Sequence, residues 1–149
     1  MYATQQDIID LHGADFLLLV AARGLERTLA DAKTREAIAD ALAQASSEID
    51  GYISTRYAVP VEPTPRIIQN HCINIAIYLM ASTADRMTDI IRERYKDALA
   101  WLKDISTGKA NLPPAQTGPG GQGGDTQAQA APDLAVFENT ESQFKRGSW

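Results

Sequence analysis

The chain has 149 residues, 44% of them apolar and 22% charged, with a net charge of −5 and a pI near 4.9. That balance argues against a protein that coats nucleic acid, where affinity comes largely from Lys and Arg on phosphates. One cysteine, Cys72, leaves neither a disulfide framework nor a Cys-rich zinc site, and His12 and His71 offer little for a His-based one.

Elements follow in chain order. Thr4 with Asp7 three residues on predicts a capping box, with Asp in place of the usual Glu. Ile8, Ile9 and Leu11 follow, and Gly13 is a stop. A second short helix is expected from about Ala14 to Ala22, ended by Gly24. From Thr34 to Tyr57 the apolar positions Ile38, Leu42, Ala45, Ile49 and Ile53 form one stripe at helical spacing. Gly51 interrupts that helix at a cost of about 1 kcal/mol relative to Ala, which suggests a bend or a close helix contact. Val59-Pro60-Val61-Glu62-Pro63-Thr64-Pro65 must break the helix. Thr64 is the expected cap of the next one and Pro65 its first-turn residue. That helix, about Pro65 to Ser82, is apolar nearly all round and should be the most buried. A last helix from about Thr88 to Thr107 carries Ile91, Tyr95, Ala98, Leu99, Leu102 and Ile105, and Gly108 ends it. No segment alternates as a strand. The expectation is an all-α bundle of three main helices plus one or two short N-terminal ones.

Composition then divides the chain. Residues 1–108 form the helical domain, 109–132 a Pro/Gly/Gln-rich linker, and 133–149 a tail with aromatic anchors. No apolar run approaches the ~18 residues of a membrane span. The N-terminus lacks the basic region of a secretory signal, so the reading is a cytoplasmic-type domain.

Motifs for chemistry are absent: no phosphate loop, no GxSxG elbow, no HExxH. His71 and Cys72 are adjacent on a helix and point apart, so they make a poor nucleophile pair. Asp85, Asp89 and Glu93 fall at steps of four, but interleaved arginines make them a solvated face. A catalytic set would need Asp7, His12 and His71 to converge. Arg56-Tyr57 and Arg94-Tyr95-Lys96 have the composition of a stacking platform for nucleic acid, though tyrosines at such spacings more often line a core. Trp101, beside Leu102, either widens the core face or anchors a partner. Phe137, Phe144 and Trp149 sit behind the linker and suit docking onto a partner.

Three segments in this order carry a resemblance. They are Met1-Tyr2-Ala3-Thr4-Gln5-Gln6-Asp7-Ile8-Ile9, then Ala41 through Ile53 followed by Arg56-Tyr57, then Arg94 through Ile105 followed by Gly108-Lys109. Over residues 1–112 the chain resembles a family of small proteins of Mu-like phages and prophages, formerly a domain of unknown function. In architecture that family is similar to the head–tail adaptors of tailed phages. One departure is the apolar run Leu17-Leu18-Leu19-Val20, where the family is more polar; it implies an extra packing surface.

The resemblance implies a structural, non-enzymatic subunit without catalytic residue, cofactor or metal. It implies a ring, a dodecamer on the particle, set on the portal protein at the head–tail junction of the virion, after a period in the host cytoplasm. A downstream stopper or tail-terminator protein would follow, and genomic DNA would pass the lumen without specific binding; no membrane is involved. Arg92, Lys96 and Trp101, with Phe137, Phe144 and Trp149 of the tail, are the candidate interface residues. The competing reading is a cytoplasmic helical interaction, assembly or regulatory module without enzymatic activity.

Overall fold

A computed structural model describes residues 1–23 and 28–113. Five α-helices follow in order: α1 Gln5–His12, α2 Ala14–Ala21, α3 Ala32–Ile53, α4 Arg66–Thr83 and α5 Asp89–Thr107. Among the described residues there is no strand. The domain is the expected all-α bundle of three long helices with two short ones before them.

Local chemistry sets each helix end. At α1 the Thr4 hydroxyl accepts from the Asp7 N–H at 3.3 Å, and the Asp7 carboxylate accepts from the Thr4 N–H at 2.7 Å. Asp therefore serves the capping box as Glu would. Burial alone would raise the Asp7 pKa, but the bonds from Thr4 outweigh it and hold it low. α1 and α2 meet at Gly13, whose φ of 87° is a left-handed value that suits glycine. Gly108 ends α5 in the left-handed helical conformation, at φ 81° and ψ 8°.

Three boundaries differ from the sequence reading. α3 starts two residues earlier than Thr34, because the Asp31 side chain accepts from the Thr34 N–H and caps it. It stops at Ile53 rather than Tyr57, since residues 54–56 tighten into turns that place Arg56 over the end of α5. At α4, Pro65 itself takes the cap position with extended backbone, and its carbonyl accepts from Ile68 and Gln69. The Thr64 hydroxyl turns back to the Val61 carbonyl at 3.3 Å instead of capping.

α4 is the hub. It packs on α3, α5 and α2, and its Ile68, Cys72, Ile73, Ile75, Ala76, Ile77, Met80 and Ala81 are all buried. α3 contributes Ile38, Leu42, Ala45, Ile49 and Ile53; α5 contributes Ile91, Ala98, Leu102 and Ile105. From the apolar run in α2, Leu17 and Val20 are buried while Leu19 is 54% exposed. α3 and α4 run antiparallel, as do α4 and α5, so α3 and α5 are parallel. Their C-terminal ends lie together.

Long side chains tie the helices. None of α2 to α5 has a base in its own last turn. The Arg56 guanidinium donates to the Ile105 carbonyl at 3.1 Å and to the Ala110 carbonyl at 3.2 Å. Arg23 donates to the Met80 carbonyl of α4 at 3.0 Å, and Arg86 to the Leu19 carbonyl of α2. Each supplies a distant cation to a carbonyl near a helix C-terminus, where the macrodipole favours one. Contacts with the domain continue past Gly108: the Leu112 N–H donates to the Tyr57 hydroxyl at 3.3 Å.

Candidate functional site

Several polar groups inside the bundle are engaged with one another, while the buried His12 Nε2 and both ring nitrogens of His71 have no hydrogen-bond partner among the described residues. Tyr2, 5% exposed, donates from its hydroxyl to the Asp50 carboxylate. The same oxygen accepts the Val61 N–H at 3.0 Å, and the Tyr2 N–H donates to the Ser46 hydroxyl at 3.1 Å. One tyrosine thus joins the N-terminal segment, α3 and the proline-rich loop. Burial, then the adjacent carboxylate, pushes its pKa up to about 12. Sequence reading missed this role, because a tyrosine ahead of the first helix belongs to no periodic stripe.

The other aromatics of interest are also internal. Tyr95 stacks on Tyr78 with ring centroids 3.8 Å apart and planes 4° from parallel. Its hydroxyl donates to Glu48 of α3 at 3.2 Å, and burial followed by that carboxylate raises its pKa. Tyr57 is held by Leu112, and Arg56 by the end of α5. Arg56-Tyr57 and Arg94-Tyr95-Lys96 therefore commit their tyrosines and Arg56 to inter-helix links, not to an open stacking platform.

The sequence-level candidates for chemistry do not converge. Asp7 serves the α1 cap, His12 lies against Phe16 with centroids 5.2 Å apart, and His71 stacks on Trp101 at 4.6 Å. Burial lowers both histidine pKa values; Arg94 lowers that of His12 further, whereas Asp97 opposes the fall at His71. Neither ring nitrogen of His71 has a hydrogen-bond partner among the described residues. Cys72 is fully buried, its Sγ 3.6 Å from the Ser46 hydroxyl, and burial raises its thiol pKa. Among the described residues no group of three His, Cys, Asp or Glu is arranged to hold a metal ion. Asp89 pairs with Arg92 at 3.1 Å on the open face of α5.

The candidate interface residues fall into three groups. Arg92 and Lys96 are exposed on α5 and, with Asp89 and Glu93, line a shallow depression. Trp101 is half-buried, one side on His71 and packed against the core. Phe137, Phe144 and Trp149 lie outside the described residues, as do the linker beyond Pro113 and the tail.

These features define a helical building block in which Tyr2, Tyr95, Arg23 and Arg56 link distant elements and whose last helix, α5, carries an exposed charged face. Among the described residues no helix is long and apolar enough to cross a membrane. The family follows from comparison: residues 2–130 match the family described as Bacteriophage Mu, Gp36, and the chain belongs to it. It is 27% identical over 148 residues to the Mu-like prophage FluMu protein gp36 of Haemophilus influenzae, covering 99% of this chain and 95% of that one. It is 28% identical over 116 residues to gene product J of Escherichia phage Mu, covering 77% of this chain and 81% of that protein.

Proposed function

We propose that this chain is a structural subunit of phage morphogenesis, a head–tail connector that forms a ring on the portal vertex. The ring links the DNA-filled head to the next head-completion or tail protein. The observation that carries this reading is membership of a phage Mu family across 129 consecutive positions, residues 2–130. Two features support it. The described domain uses its buried and half-buried tyrosines, Tyr2 and Tyr95, to hold its elements together. Its α5 face is charged and open to solvent, free to meet a partner.

In the particle the ring is dodecameric, and its lumen passes genomic DNA without specific binding, which an acidic chain favours. Arg92, Lys96 and Trp101 contribute to subunit contacts. The tail aromatics Phe137, Phe144 and Trp149 reach the portal. A ring requires head-to-tail contacts in which one face of a subunit meets a different face of the next.

The test mixes purified full-length chain with the portal protein of the same prophage and follows co-sedimentation and ring formation by electron microscopy. The reading expects rings seated on portals, and weaker capture when residues 113–149 are deleted. Failure to bind the portal, with a dimer or a one-to-one complex with a host protein instead, overturns it in favour of a cytoplasmic regulatory module. Unchanged capture of the truncated chain would refute the tail's role alone.

A further inference from the structure

We propose that the stack of His71 on Trp101 is a proton-operated latch in the seam between α4 and α5. The neutral imidazole holds the indole against the bundle; the protonated imidazole turns to the Asp97 carboxylate and lets the indole go. The latch is a property of the single subunit. Its bearing on assembly rests on the connector reading, in which Trp101 contributes to subunit contacts.

The first observation is the stack itself. α4 and α5 run antiparallel, and His71 meets Trp101 with ring centroids 4.6 Å apart and planes 29° from parallel. Further along the same seam Tyr78 stacks on Tyr95. The two ring pairs differ in their polar atoms. The Tyr95 hydroxyl is bonded to Glu48, whereas both ring nitrogens of His71 are buried without a partner among the described residues. A neutral imidazole leaves one donor and one acceptor unpaired there. An imidazolium has two N–H donors and a full charge, and a buried unpaired charge costs far more. The indole face attracts a cation but cannot accept the in-plane N–H bonds.

The second observation is the charge around the ring. On α5, Arg94, Asp97 and Trp101 fall at steps of three and four and share one flank. Burial lowers the His71 pKa and Asp97, itself exposed, opposes the fall. Arg94 acts on His12 of α1 instead. α1 brings Asp7 and Asp10 to another side of α4, where they line a cavity with Gln69 and Asn70. Asp15 of α2 lies beside Arg86. α3 reaches the next residue of α4, Cys72, through Ser46. Of the charges on these elements, Asp97 alone acts on the His71 ring. It lies one turn from Trp101 along the same helix.

Acid opens the latch. At neutral pH the ring is uncharged and stays on the indole. As pH falls below 6.5, the ordinary value for histidine, the closed stack resists the proton because the ring is buried. The open arrangement accepts it, since one imidazolium N–H donates to Asp97 and the other meets water. Protonation therefore shifts the population from closed to open. His12 makes the contrast: its proton would face Arg94, a like charge, so it gains no ion pair. The half-buried Trp101 gives up the covering of one ring face when the imidazole leaves.

The experiment uses the full chain with Trp149→Phe, which leaves Trp101 as the one tryptophan. Emission and acrylamide quenching of Trp101 are followed from pH 8 to 5, with circular dichroism recording the helices at each step. The ring protons of His71 are titrated in parallel by nuclear magnetic resonance. Quenching should rise about twofold below pH 6.5, as the second ring face opens, with the same midpoint as His71 and with helicity unchanged. Adding His71→Phe, which keeps a ring on the indole but takes up no proton, should abolish the rise. Adding Asp97→Asn, at an exposed position, should move the midpoint to lower pH, and His12→Gln should leave it in place. A Trp101 signal that stays flat across the range, or that moves only as helicity is lost, would overturn the proposal. So would a rise that survives His71→Phe or is indifferent to Asp97→Asn. The portal assay does not read the latch, so failure of either leaves the other standing.

Discussion

Tyr2→Phe isolates the tether between the N-terminus, α3 and the proline-rich loop. The substitution keeps the buried ring and deletes only the hydroxyl, which donates to Asp50 and accepts from Val61. A hydrogen bond to a charged partner contributes about 1.5–3 kcal/mol, and an amide that loses its acceptor adds to the cost. The expected loss at neutral pH is about 2–3 kcal/mol, seen as a lower midpoint in urea with an unchanged slope. The pH dependence is more specific. The fold holds the neutral phenol, with a pKa raised from 10.0 to about 12. Below pH 10 folded and unfolded chains are both neutral at this residue, and the stabilisation is complete. Between about pH 10 and 12 the unfolded chain ionises first, so stability on the order of 2 kcal/mol is lost over that window. Other groups titrate there too, so the readout is the difference between the natural chain and Tyr2→Phe, which should narrow as pH climbs. A double-mutant cycle with Asp50→Asn should show coupling above 0.5 kcal/mol, roughly the error of additivity. Parallel stability curves from pH 8 to 12, or additive single mutants, would refute the assignment.

Further expectations concern the core, the exposed glycine and the histidines. Leu102→Ala empties a fully buried site beneath α4 and should cost about 2–5 kcal/mol in a urea melt, with relief from neighbouring side chains setting the value in that range. Gly51→Ala should raise the thermal midpoint, since no atom opposes a Cβ there and helix propensity favours Ala by up to about 1 kcal/mol. A lower midpoint would show that the helix is strained at this position. His12 and His71 are held neutral by burial, with pKa values below the ordinary 6.5. Their neutral-state stability is complete above pH 6.5 and drains as pH falls further, because the unfolded chain takes up protons first. His71→Phe should flatten the stability profile between neutral and mildly acid pH; an unchanged slope would show that His71 is already free to charge.

What the sequence disclosed and what it hid divide along the range of the interactions. The stripes Ile38–Ile53 and Ile91–Ile105, the Thr4–Asp7 box and the glycines at 13 and 108 are local patterns, written within a few residues of where they act. Their outcomes follow from period and backbone preference alone. Asp31 as the cap of α3 was equally local, but the stripe begins at Ile38 and gave it no emphasis. Tyr2, Arg23 and Arg56 act across 44 to 59 positions, and nothing near them in sequence marks their partners. Trp101 shows the same limit at the surface. Its place off the stripe was visible, yet whether it faced solvent or a neighbour depended on the register that sets it against His71. The charge on α5 was visible as an outer face. Its pairing of Arg92 with Asp89 depended on side-chain placement that the pattern alone does not give.

The central claim is that this chain is a connector subunit in the particle. Quantitative mass spectrometry of purified, DNA-filled particles from the encoding phage or induced prophage tests it most directly, by the copy number of this chain relative to the portal protein. The account predicts a ratio near one to one. Absence from mature particles, despite abundant chain in the lysate, would contradict it.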